Sequence, residues 1–148
     1  MIVSGEMSVA VGREELWAVL SDPQRLAQAL PGVSDVSIED EHHFSAVARP
    51  FTALGETPVA LEFEIVEVPA GEFVRIAATG SAGENLLTLS VALELASTAE
   101  GTSASWRAEV GLRGVLSSLL QRGLAELVRE QVDAVLCAGA AIGEADRA

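Results

Sequence analysis

The chain holds 148 residues, with nine Lys and Arg set against 22 Asp and Glu for a net charge of −13. A single domain of that size buries roughly two-thirds of its extended-chain surface, enough for a core without disulfide or metal staples. So negative a surface repels phosphate backbones and anionic headgroups, which argues against a nucleic-acid groove and against charge-driven adsorption to lipid.

Residues 2–11 alternate, with Val3, Met7, Val9 and Val11 on one face and Ser4, Glu6 and Ser8 on the other. That pattern predicts a half-buried strand. From Arg13 to Leu20 the spacing turns helical, with Leu16, Trp17 and Leu20 on one side. Ser21-Asp22-Pro23 ends this helix and starts a second, since Asp or Ser caps free N–H groups and Pro suits a first helical turn. Leu26, Ala29 and Leu30 form the second apolar stripe, and Pro31-Gly32 stops it.

Only strands follow. Residues 33–38 and 43–48 flank the polar turn Glu39-Asp40-Glu41. Residues 50–57 read as an irregular connection. Val59, Leu61, Phe63 and Ile65 alternate with Glu62, Glu64 and Glu67, giving a two-faced strand. Residues 73–79 form the next strand, and Gly80-Ser81-Ala82-Gly83 reads as a turn. Leu87, Leu89, Val91, Leu93 and Leu95 share one face of a long strand. Ala99-Glu100-Gly101 turns the chain into a last strand carrying Trp106, Ala108, Val110 and Leu112.

Residues 114–139 predict one long helix, about 39 Å at 1.5 Å per residue. Its stripe is Leu116, Leu119, Leu120, Leu124, Leu127, Val128, Val135 and Leu136. Residues 143–148 read as a frayed tail beyond a single domain spanning 1–142. The fold class is therefore α+β. Seven antiparallel strands form one sheet, and its greasy side is buried only by curling around the terminal helix. Two short helices stand between strands one and two. A curved sheet gripping a helix tends to leave a space between them.

Several strings carry a resemblance. They are Ser4-Gly5-Glu6, Leu16-Trp17-Ala18-Val19-Leu20-Ser21-Asp22-Pro23 and Leu26-Ala27-Gln28-Ala29-Leu30-Pro31-Gly32-Val33. Gly101-Thr102 and the glycines Gly111 and Gly114 add to them. On these residues the sequence resembles the helix-grip, START-like (SRPBCC) superfamily. Within it, the chain is similar to the small G subunit of carbon monoxide dehydrogenase (CoxG-like) over nearly its full length. The resemblance implies a cavity for a hydrophobic ligand, lipid- or quinone-like. It also implies an accessory role to a molybdenum hydroxylase, in maturation, membrane recruitment or carriage of a quinone. The chain departs from the family in carrying Leu119-Leu120 where a small residue is usual, and in residues 48–57, whose one basic side chain is Arg49.

The residues themselves offer little chemistry. His42-His43 beside Glu39, Asp40 and Glu41 reads as a solvated turn. Cys137, next to Leu136, reads as a buried inert thiol. One cysteine makes no internal disulfide, which suits the cytoplasm. Neither a metal site, a cofactor nor a catalytic residue is expected. No apolar run reaches the ~18 residues of a membrane span, and the first ten residues lack a signal peptide's basic start. Arg75 and Arg107 oppose apolar neighbours and are expected to point outward.

The candidate ligand wall is Phe63, Ile76, Leu89, Trp106 and Val110 from the strands, with Leu116, Leu120 and Leu124 from the helix. Phe51 and Leu54, apolar residues in a connection beside Pro50 and Gly55, read as a mouth of the pocket or a partner contact. Three functional readings stay open. One is a non-enzymatic binding protein for a hydrophobic small molecule. The second is a cyclase- or aromatase-like enzyme, which needs inward polar groups in a dry pocket. The third is a filled-cavity domain whose acidic surface docks a basic partner. The oligomeric state is not readable from the residues.

Overall fold

The structure is a computed structural model that describes residues 2–30, 33–48, 59–67, 73–82, 85–113 and 117–147. Within them, the side chains of residues 48, 59, 67, 82, 85, 112, 117–124, 127 and 144–147 are not described. The order is β1 (Ile2–Val9), α1 (Arg13–Leu20), α2 (Pro23–Ala29), β2 (Val33–Ile38) and β3 (His43–Ala48). Then come β4 (Val59–Glu67), β5 (Phe73–Ala82), β6 (Asn85–Thr98), β7 (Gly101–Arg113) and α3 (Ser117–Arg147).

All seven strands join one open, curved antiparallel sheet in the order β1-β7-β6-β5-β4-β3-β2. Strands β2 to β7 meander, each beside its predecessor. The two short helices prevent a hairpin between β1 and β2, so β1 takes the far edge against β7, with Val3 opposite Ala108 and Met7 opposite Ala104. The predicted cap forms at α2, where the Gln24 N–H donates to Asp22 Oδ1 at 3.1 Å and Pro23 opens the helix.

Alternation places Val3, Phe44, Phe63, Ile65, Val74, Val91, Leu93, Trp106 and Val110 on the buried inner face. Leu16 and Leu20 of α1 and Leu26 of α2 complete this core. Trp17 anchors α1 to the sheet, its Nε1–H donating to the Phe73 carbonyl at 3.3 Å. Phe44 and Phe63 stack across β3 and β4, with ring centres 4.5 Å apart.

Two expectations are corrected. Gly80 to Ala82, read as a turn, extend β5 and pair with Leu87, Leu86 and Asn85. The helix also does not end at residue 139 or fray at 143. It runs 31 residues to Arg147, about 46 Å. Gly139 resembles a helix stop in sequence, but it serves close packing. A Cβ there would lie 3.4 Å from Leu16 and 3.7 Å from Val19, so α3 sits directly on α1. One turn later, Gly143 is buried against Val11 and the Glu15 carbonyl. The docked C-terminal half of α3 thus continues the stripe of Val128, Val132, Val135 and Leu136.

Gly101 has φ +152°, and a Cβ there would collide with the Val9 carbonyl oxygen. The neighbouring Thr102 is fully buried and donates from Oγ1 to the Val11 carbonyl at 2.7 Å. Together they fasten the exit of β1 to the start of β7. Gly101→Ala is therefore expected to destabilise by about 2 kcal/mol or more. Gly139→Ala, with its Cβ at ordinary contact distance, is expected to be neutral or to stabilise by up to about 1 kcal/mol. Urea unfolding midpoints of the two variants check this contrast.

Candidate functional site

The inner face is organised in rows that cross the strands. One row runs Phe44, Phe63, Ala78, Leu89, Val110 from β3 to β7. The next runs Ile65, Ile76, Val91, Ala108, Val3. A third holds Val74, Leu93, Trp106 and Gly5. On the other side of the first row lie Leu61, Gly80 and Leu87. Successive rows are about 6.6 Å apart, two residues along a strand.

Burial is uneven across these rows. Ile76 stands mid-sheet between two buried neighbours, Ile65 and Val91, and yet is only half-buried. Leu61, Leu87 and Leu89 are half-buried too, around the small residues Ala78 and Gly80. Away from the edge strand β1, where Met7 and Val9 are also half-buried, the inner face thus keeps one mid-sheet patch of large apolar side chains that are only partly covered. The patch lies at the end of the sheet where β7 leads into α3.

The third row is closed. Trp106 is 4% exposed, and its indole Nε1 is buried without a hydrogen-bond partner. Opposite it is Gly5, where a Cβ would fall 2.7–2.9 Å from the indole ring atoms, Nε1 among them. Only glycine lets the ring lie flat over β1. An unpaired buried donor of this kind costs about 1–3 kcal/mol.

The outer face is polar. Glu62, Glu64, Glu94, Glu109, Arg75 and Arg107 are all exposed there. Small outward residues, including Ala77, Thr79, Thr88, Ser90 and Gly111, floor a shallow depression of about 450 Å³. Among the described residues no three His, Cys, Asp or Glu side chains converge as metal ligands, and no helix is long and apolar enough to cross a membrane.

The family model for the G subunit of carbon monoxide dehydrogenase (CoxG) matches residues 5–138. The chain belongs to that family. No curated protein matches the sequence. Among solved structures, a conserved protein from Geobacillus kaustophilus is 15% identical, with a TM-score of 0.85 over 97% of this chain and 95% of that one. A START superfamily protein from Mycobacterium smegmatis is 12% identical, with a TM-score of 0.69 over 97% of each chain. A Thermus thermophilus protein is 17% identical, with a TM-score of 0.71 over 100% of both. These likenesses share the fold of this CoxG family member.

Of the candidate wall residues, Phe63, Ile76, Leu89, Trp106 and Val110 share the inner face, on three adjacent rows. Leu120 and Leu124 belong to α3, but their side chains lie outside the described residues, as do Phe51, Leu54 and Leu116 entirely. The sequence reading missed Gly5 and Ala78. Their signal was available: each is a small residue at an inward position of an alternating strand. Cys137 is a correction. It is exposed, because one residue beyond Leu136 turns it about 100° off the buried stripe.

The His42-His43 turn is a solvated one. Asp40 Oδ1 accepts from the His42 N–H at 2.8 Å, and its carboxylate oxygens lie 2.8 and 3.0 Å from His43 Nδ1. Glu64 Oε1 is 4.0 Å from His43 Nε2. The Asp40 hydrogen bond, with the nearby acidic charges, raises the His43 pKa above 6.5. The His42 backbone N–H and the His43 side chain together lower that of Asp40 below 3.8. The His43 contribution to stability is present in full below pH 6.5 and fades as pH rises through the raised folded value. The Asp40 contribution is present above pH 3.8 and fades as pH falls through the lowered one. In Asp40→Asn, the His43 pKa is expected to drop toward 6.5, as read by NMR titration of the imidazole protons.

Proposed function

We propose that the protein is a non-enzymatic carrier. It holds a hydrophobic small molecule, lipid- or quinone-like, between the inner face of the sheet and α3, in the service of a carbon monoxide dehydrogenase-type molybdenum hydroxylase. The observation that carries this reading is the half-buried patch of Leu61, Ile76, Leu87 and Leu89 in the middle of a largely buried face. Membership of the CoxG family supports the accessory role.

The proposed wall comprises Phe63, Ile76, Leu89, Trp106 and Val110, faced by Leu116, Leu120 and Leu124, with Phe51 and Leu54 at the mouth. Binding there is driven by surface burial, about 2.5 kcal/mol for each 100 Å² of apolar area removed from water. Catalysis needs a positioned acid, base or nucleophile. Among the strand side chains that are described, the ionisable ones are exposed or half-exposed, and the one buried hydroxyl, Thr102, is committed to the Val11 carbonyl. A single exposed cysteine suits a reducing cytoplasm.

Native mass spectrometry of protein purified from its own host is expected to show a co-purifying neutral, apolar adduct. Leu89→Trp, which fills the patch from its centre, is expected to lower occupancy at least tenfold while the protein remains folded by circular dichroism. A clean apo mass, together with a crystal structure packed solid beneath α3, removes the carrier reading.

A further inference from the structure

Among its described residues, the inner face of the sheet presents one buried polar side-chain atom without a hydrogen-bond partner. Trp106 Nε1 is buried and has no acceptor. The other tryptophan shows that the fold can supply one: Trp17 Nε1 donates to the Phe73 carbonyl at 3.3 Å. Buried donors in folded proteins are nearly always paired, and an orphan points to a partner of another kind, a ligand or an ordered water.

The position of Trp106 in the rows bears on which. It lies one row beyond Ile76 and two beyond Leu89, on the side away from Leu61 and Leu87. From the Trp106 row to the Leu61–Leu87 row is three row spacings, about 20 Å. The half-buried patch therefore lies toward one end of the face, and the orphan donor sits in a buried row one to three rows away from its members. Gly5 holds the nitrogen edge of the ring flat against β1, since any side chain there would displace it. No Lys or Arg is buried among the described inner-face residues, so nothing there would offset the burial of an anionic head.

We infer that Trp106 is the specificity-determining donor of the ligand site, its indole N–H giving a hydrogen bond to a neutral carbonyl oxygen at the buried end of an elongated apolar ligand. This rests on the carrier reading above and adds to it a polarity and an orientation. The carbonyl enters first, beside Gly5, and the apolar remainder extends toward Leu89, Leu87 and Leu61. A ring carbonyl and an ester carbonyl share this chemistry.

The test uses the full chain and two matched pairs of probes. One pair is 2,3-dimethyl-1,4-naphthoquinone and 2,3-dimethylnaphthalene, whose blocked ring positions spare the exposed Cys137 from alkylation. The other is methyl laurate and tridecane. In a ¹⁵N–¹H spectrum the two indole resonances report separately. The Trp106 signal is expected to shift downfield with a carbonyl member and not with its hydrocarbon, while that of Trp17 holds still. Trp106→Phe is expected to weaken the carbonyl member about tenfold and to leave its hydrocarbon within about twofold. Whichever pair shows the effect identifies the carbonyl source. Hydrocarbons that bind as tightly as their carbonyl counterparts, with the Trp106 resonance unmoved, overturn the donor assignment and leave the carrier reading standing. The donor assignment falls in the same way if Trp106→Phe weakens both members of a pair equally, or if the indole is paired to a resident water that persists in the complex. Failure of all four probes to bind the wild-type protein overturns both readings. Should Trp106→Phe not fold, the wild-type spectra alone decide.

Discussion

The structure depends on a mismatch of widths. Seven strands about 4.8 Å apart make an apolar face about 29 Å across, whereas one helix with its side chains is about 10 Å wide. Buried apolar area is what holds such a fold together, so the face needs further cover or must stay partly open. The two short helices supply cover at one end. Leu16, Leu20 and Leu26 close over the same core as Val74, Leu93, Leu95 and Ala104, where burial is nearly complete. Among the described residues no further helix packs on the other end. There Leu61, Ile76, Leu87 and Leu89 remain half-buried. Their partial burial is in keeping with element count and element width, before any particular side chain is considered.

Charge is distributed by the same alternation. Each inward leucine, valine or phenylalanine forces its neighbours outward, and those neighbours include Glu62, Glu64, Glu94, Arg107 and Glu109. Much of the negative charge is therefore carried by a solvated convex surface and by turns such as Glu39-Asp40-Glu41, while the inner-row side chains that are described are uncharged.

Most of the fold was legible because period-two and period-three-to-four patterns do not resemble each other. The boundaries of α1, β2 and β3 fall where the residues place them. The misread positions all involve small residues whose role depends on partners far away in sequence. Gly80 looks like turn chemistry, but pairing with Leu87 across the hairpin keeps it in the strand. Gly139 and Gly143 look like the end of a helix, but α1 accepts them as contact points. Cys137 falls on the exposed side although Leu136 next to it is buried, because adjacency along a helix is a 100° rotation rather than a shared face. The inward face of the candidate site could be read from alternation alone. Its uneven burial could not, because exposure depends on what covers a strand and not on the strand's own pattern.

The contrast between the two tryptophans shows how a site can be distinguished from core in a chain with so little polar chemistry. Both are large amphipathic rings on buried elements, and each carries one donor that water no longer reaches or reaches only partly. Trp17 has its acceptor at the first residue of β5, so its ring serves to fasten a helix. Trp106 is more deeply buried and has none. Gly5 makes the geometry specific. A glycine in a strand interior weakens the strand by its entropy and by the packing it forgoes. Here it admits the flat indole and nothing larger. A strand weakened at one residue to hold a donor that the protein leaves unpaired is two local costs converging on one point. Packing of the flat ring accounts for the glycine, and the unpaired donor is the feature that the inferred carbonyl partner is meant to explain.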